Sequence, residues 1–169
     1  MLLVCGLVSC SSCSTPKVDP VVPITEVSND KWSLVVPSSN WHYDLTNALN
    51  ELRDAGDPGT MVILINEVDK NLAIIATELF AGSSQQYALL SIRGLADTGR
   101  KLVNTSQVVI INGVSYVTFE SAKAGEPTIW AWITVKNGTA YSFVCGGLES
   151  SDAVQHGFCN QIAASLKLK

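Results

Sequence analysis

Residues 128–169 read TIWAWITVKNGTAYSFVCGGLESSDAVQHGFCNQIAASLKLK, and the fold is decided here. Two apolar runs flank Asn137-Gly138, and a segment of helical period follows. Asn-Gly supplies the two positive-φ positions of a type I′ turn, so the runs are the arms of a β-hairpin. In the first arm Ile129, Ala131, Ile133 and Val135 fall on one face, and Trp130 and Trp132 on the other, because side chains alternate along a strand. In the second arm Tyr141, Phe143 and Cys145 share a face. From about Ser151 to Leu166, the residues Val154, Phe158, Ile162 and Leu166 recur at helical spacing, with Cys159 and Ala163 beside the stripe. The link from strand to helix is short, which brings Cys159 near the end of the Cys145 strand. The pair reads as a disulfide, or else as two buried free thiols packing as small hydrophobes.

The same grammar extends upstream. Gln107–Ile111 and Val114–Ser121 flank a second Asn-Gly, Asn112-Gly113. Thr60–Glu67 and Leu72–Phe80 flank Asp69-Lys70-Asn71, a third hairpin. Between these two hairpins, Ser83 and Gln86 have the spacing of a capping box. The helix that follows runs from about Ser84 to Ala96, with Ala88, Ile92, Leu95 and Ala96 on one face. Lys31–Pro37 is a first strand, Ser38–Trp41 a turn, and Asp44 the N-cap of a short helix carrying Leu45, Ala48, Leu49 and Leu52. The order β–α–ββ–α–ββ–ββ–α predicts an α+β fold with a largely antiparallel, six- to seven-stranded sheet. Both faces of the Trp130 strand are apolar, which calls for helices on both sides, an α/β/α sandwich.

The chain has 169 residues, a length that suits one domain. Net charge is -4, and the eleven Lys and Arg are scattered. That pattern offers a phosphate backbone no basic stripe and argues against nucleic acid as a partner. No run of 18 apolar residues marks a transmembrane helix.

Residues 1–10, MLLVCGLVSC, end in Leu7-Val8-Ser9-Cys10. This resembles a bacterial lipobox, with an aliphatic residue at −3, a small residue at −1, and then the cysteine that is acylated and becomes the new N-terminus. Cys10 fits the pattern; Cys13, preceded by Cys10-Ser11-Ser12, does not. Residues 1–10 are therefore read as the remnant of a lipoprotein signal peptide. No Lys or Arg precedes Lys17, so the basic start of such a peptide is expected upstream. Residues 11–30 hold three of the six prolines and read as an extended tether reaching up to about 60 Å. The domain is expected over 31–169. A lipid anchor implies a bacterial envelope location, and Ser11 after the cysteine favours the outer membrane facing the periplasm. Export in turn favours the Cys145–Cys159 disulfide, which needs an oxidising compartment.

Within residues 32–168 the chain resembles the DcrB-type lipoproteins of the PsbP-like superfamily, whose fold is shared with photosystem PsbP proteins and a yeast Ran-binding protein. The matching stretches are Trp32–Pro37 with Trp41, Ile65-Asn66-Glu67, Gln86-Tyr87-Ala88 with Ser91, Ile111–Val114, Val135–Tyr141 and Ile162–Leu168. The resemblance implies a binding or scaffolding module. It supplies no catalytic residues to carry over.

The residues themselves offer little chemistry beyond binding. His42 and His156 are the two histidines, and a hydrolase would need one of them beside a nucleophile. No His or Cys pair in the domain has metal-ligand spacing, and no cofactor is implied. The cluster Asp44, Glu51, Asp54 and Asp57 reads as a solvated helix face. Trp130, Trp132, Tyr116 and Tyr141 could share a sheet face. That face is either buried under a helix or left partly open as a partner groove, with Trp41 and His42 at its rim. The expectation is a non-enzymatic binding protein for an unknown envelope protein. A periplasmic small-ligand carrier with an aromatic pocket is the alternative, and a hydrolase a distant third.

Overall fold

The computed structural model describes residues 26–36, 40–43, 60–148 and 153–169. The readings made on Cys10, on most of the tether, on the helix starting at Asp44 and on its carboxylates lie outside these residues.

The core element is β9 (Glu126–Lys136), paired antiparallel with β10 (Thr139–Gly147) across Asn137-Gly138. Asn137 and Gly138 both have positive φ, 53° and 74°, as a type I′ turn requires. β10 pairs on its other side with β5 (Asn71–Leu79), which pairs with β4 (Thr60–Asn66), and that with β3 (Trp41–Tyr43). On the opposite flank β9 pairs with β8 (Val114–Lys123). The far edge of β8 carries β6 (Lys101–Leu102) at one end and β7 (Gln107–Ile111) at the other. Each of these pairings is antiparallel, giving a sheet of eight strands among the described residues rather than six or seven. The additions are β3, expected as a turn, and β6, too short to show a period.

Trp32–Val35 does not join this sheet. It forms β2, the centre of a separate three-stranded sheet with β1 (Glu26–Ser28) and β11 (Lys167–Leu168). β1 lies inside the stretch assigned to the tether, so the folded domain begins before residue 31. Two features place it there. Val27 is buried, and Asn29 Oδ1 accepts from the backbone N–H of Lys31 (2.8 Å) and Trp32 (2.9 Å), closing the β1–β2 hairpin.

The sheet has a cover on each face. α1 (Ser84–Asp97) lies on one side, with Ala88, Ile92 and Leu95 against Val117, Phe119, Ala131 and Ile133. Its start is the expected capping box. Ser83 Oγ accepts from the Gln86 N–H at 3.2 Å, and the Gln86 side chain returns an acceptor to the Ser83 N–H at 2.8 Å. α2 (Ala153–Ser165) and the small sheet lie on the other side, where Trp32, Leu34, Ile162 and Leu166 pack with Trp130, Trp132 and Phe143. The sandwich therefore has three layers, with one outer layer part helix and part sheet.

α2 is rotated from its expected orientation. The spacing put Val154 and Phe158 on the buried stripe. Ile162 and Leu166 are buried as expected, but Gln155, Cys159 and Ala163 are buried with them, Phe158 is half-buried and Val154 is exposed. The Cys145–Cys159 disulfide, with Cα atoms 5.5 Å apart, explains this. It turns Cys159 to the sheet and takes the residues one turn away on either side with it. At its other end α2 is tied to β2, since Ser165 Oγ accepts from Val35 N–H (2.8 Å) and donates to Val35 O (3.1 Å). Gly146 is a β10 residue opposite Ile129. A Cβ there would stand 2.7 Å from the Thr128 carbonyl oxygen, so only glycine admits this strand pairing.

Candidate functional site

The register places the aromatic residues. Cys145 lies opposite Trp130 and Phe143 opposite Trp132, while Tyr116 of β8 falls on the same sheet face. That face is buried: Trp130 is 8% exposed, Trp132 6%, and Tyr116 and Tyr141 are buried too. Trp41, expected at a groove rim, is 0% exposed. As a β3 residue paired with Asn66 it points into the main core. His42, its neighbour, faces the other side of the sheet by strand alternation and is half-buried. These residues therefore form no common surface.

What remains open is narrower. α2 is fixed over β10 by the disulfide and reaches β9 through His156, which stacks on Trp130, so β8 beyond it is left without a helix above it on this face. The gap between α2 and β7 is a cleft of about 270 Å³. Trp130 and Trp132 line it from β9, Thr118 and Glu120 from β8, and Gln107 from β7. α2 contributes His156, whose ring is exposed and stacks on the Trp130 ring at 4.7 Å between centroids and 13° between planes. Glu120 is positioned by Asn104, whose Nδ2 donates to Oε2 at 2.8 Å. The cleft thus offers aromatic surface beside a fixed carboxylate, amides and a hydroxyl. Such a lining suits a ligand or side chain with an apolar body and a hydrogen-bonding head.

Two phenols lie deeper on this face. Burial, and then the neighbouring Tyr141, pushes the Tyr116 phenol up to about 12. Tyr141 is also raised, by burial and then by the Asp30 carboxylate. Among the described residues, neither histidine hydrogen-bonds a carboxylate or a hydroxyl. Among the same residues, no group of three or more His, Cys, Asp or Glu is placed to hold a metal ion. No described helix is long and apolar enough to cross a membrane.

His156 was not expected at one site with Gln107, Thr118 and Glu120, because α2 is far in sequence from the β7–β8 hairpin that carries the other three. The Asn112-Gly113 turn sets Gln107 opposite Thr118, and His156 left a signal of its own. Cys159 bridges to Cys145, Cys145 faces Trp130, and His156 is one helical turn before Cys159.

A large antiparallel sheet covered in this way is the PsbP-like fold. The solution structure of cyanobacterial PsbP (CyanoP) from Synechocystis sp. PCC 6803 matches with a TM-score of 0.63 at 12% identity, covering 94% of this chain and 98% of that one. At that identity the likeness is one of fold. A crystal structure of a protein from Bacteroides thetaiotaomicron VPI-5482, at 1.50 Å resolution, matches with a TM-score of 0.46 at 15% identity, over 82% of this chain and 45% of that one. No protein-family model matches the chain, and no curated protein matches it.

Proposed function

We propose that this chain is an envelope lipoprotein of the DcrB type, anchored through Cys10, whose domain binds an envelope protein without catalysis. The cleft beside Trp130 carries the binding reading. Its aromatic wall lies on β9, paired on both sides and stacked by His156, and its polar rim is held by Asn104, so it is preorganised to receive a side chain from a partner. The disulfide also supports an oxidising compartment, as does the lipobox-like Leu7–Cys10. Outer-membrane attachment facing the periplasm follows from Ser11 after the acylated cysteine.

The test is photo-cross-linking from position 156 in the native envelope. One protein adduct is expected, and it should be lost when Trp132→Ala removes the opposite wall. Adducts spread evenly over many abundant proteins would refute the site. The anchor has its own test. Globomycin should block processing, and Cys10→Ser should abolish acyl labelling; a Cys10→Ser protein still processed and membrane-bound would overturn the anchor alone.

A second reading, a periplasmic carrier of small ligands, is favoured by the size of the cleft. Its 270 Å³ corresponds to about nine non-hydrogen atoms at the ~30 Å³ each that a water occupies in the liquid. Native mass spectrometry of protein taken from its host should then show a bound molecule that His156→Trp expels.

A further inference from the structure

On the reverse side of β8 from the cleft lies a second cavity, of about 300 Å³. Alternation along β8 sends Thr118 and Glu120 to the cleft, and Phe119 and Ser121 to this side. Ile92 and Leu95 of α1, Leu102 of β6 and Phe119 make it apolar, and Arg100, Lys101 and Ser121 complete its wall. The Arg100 side chain is only 10% exposed. Its Nη1 donates to Glu126 Oε2 at 2.8 Å, and its Nη2 donates to the carbonyls of Ser121 and Pro127. Its Nε is buried with no partner, and so is the neighbouring Ser121 Oγ. Buried polar groups are nearly always satisfied, and Arg100 and Ser121, which each hold one such unpartnered group, both line the cavity. The charge agrees. Glu126 is shared between Arg100 and Lys123, and Lys101 adds a third cation beside that single carboxylate.

We propose that this cavity binds a medium-chain carboxylate, its head beside Arg100, Lys101 and Ser121 and its hydrocarbon chain against Ile92, Leu95, Leu102 and Phe119. The volume admits about ten non-hydrogen atoms, the size of octanoate. This site is separate from the Trp130 cleft and does not rest on what binds there.

The test is a titration of the isotope-labelled full chain with sodium octanoate, followed by NMR. Saturable shifts are expected at the amides around Ile92, Leu95, Leu102 and Ser121, with a dissociation constant on the order of 1 mM or tighter. Ser121→Ala and Arg100→Lys should each weaken binding at least about fivefold. Leu95→Trp should abolish it by filling the cavity. Octan-1-ol should bind at least about fivefold more weakly than octanoate, and octylammonium not at all. The proposal is overturned if octanoate gives no saturable shifts, or if its shifts map to Trp130 and His156. It is equally overturned if octylammonium binds as well as octanoate, or if Ser121→Ala, which deletes only one buried hydroxyl, leaves the affinity unchanged.

Discussion

Reducing the Cys145–Cys159 disulfide should lower the stability of the domain by about 3 kcal/mol. The bridge joins residues 14 positions apart. Closing a loop of about 15 residues removes that much conformational freedom from the unfolded chain in the loop-entropy treatment. Both cysteines are buried, so on reduction the thiols remain packed as small apolar groups and the lost constraint dominates. A loss of this size reduces the ratio of folded to unfolded molecules roughly a hundredfold. For a chain of this length it moves the melting midpoint by about 6–12 °C. The assay is equilibrium guanidinium denaturation of oxidised and phosphine-reduced protein, followed by tryptophan fluorescence. The native baseline should hardly change, because Ile162, Ala163 and the Ser165–Val35 hydrogen bonds keep α2 in place without the bridge. The Cys145→Ala/Cys159→Ala double variant should show a loss at least as large and no response to reductant. A loss below about 1 kcal/mol on reduction would refute the loop-entropy reasoning.

Three further outcomes are expected. His156→Ala should cost about 1 kcal/mol through loss of the ring stack, and should cost almost nothing in a Trp130→Leu background, as a double-mutant cycle in urea would show. Gly138→Ala, at φ 74°, should destabilise by about 1 kcal/mol in thermal melts, with the hairpin register unchanged by NMR. The Tyr116 phenol is raised from 10.0 to about 12 in the folded protein, so its neutral form is the one that folding favours. Its contribution to stability is therefore complete below pH 10 and is lost as pH rises toward 12. Tyr116→Phe should flatten that alkaline decline. At neutral pH it should leave stability unchanged or raise it by about 1 kcal/mol, because the buried hydroxyl it removes has no partner.

The hairpins and the first helix were legible because their signals are local. Asn112-Gly113, Asn137-Gly138 and the Ser83–Gln86 box each carry their reason within four residues. The disulfide was legible because a short link joins its two elements. The second sheet was not, because β2 meets β11 and the end of α2 across a separation of about 130 residues, as in the Val35–Ser165 bond. Nothing at either end announces the other. The same holds for Trp41: three residues of edge strand look like a turn until Asn66 is known to pair with it. The rotation of α2 failed for a different reason. A hydrophobic stripe at Val154 and Phe158 competes with a covalent bond at Cys159, and the bond wins by turning polar Gln155 inward. The cleft was partly visible in Trp130 and Trp132, but its polar rim is assembled only when β7, β8 and α2 meet.

β7 bears on solubility. Its outer edge has no partner strand among the described residues, and QVVII contains neither a charge nor a proline, the features that usually guard an edge. Val108 and Ile110 stand open to solvent, Ile110 at 76% exposure. Short uncharged segments rich in β-branched residues stack readily on copies of themselves. At high concentration, or in a nascent chain whose sheet has not yet closed, β7 is where molecules of this protein would begin to aggregate.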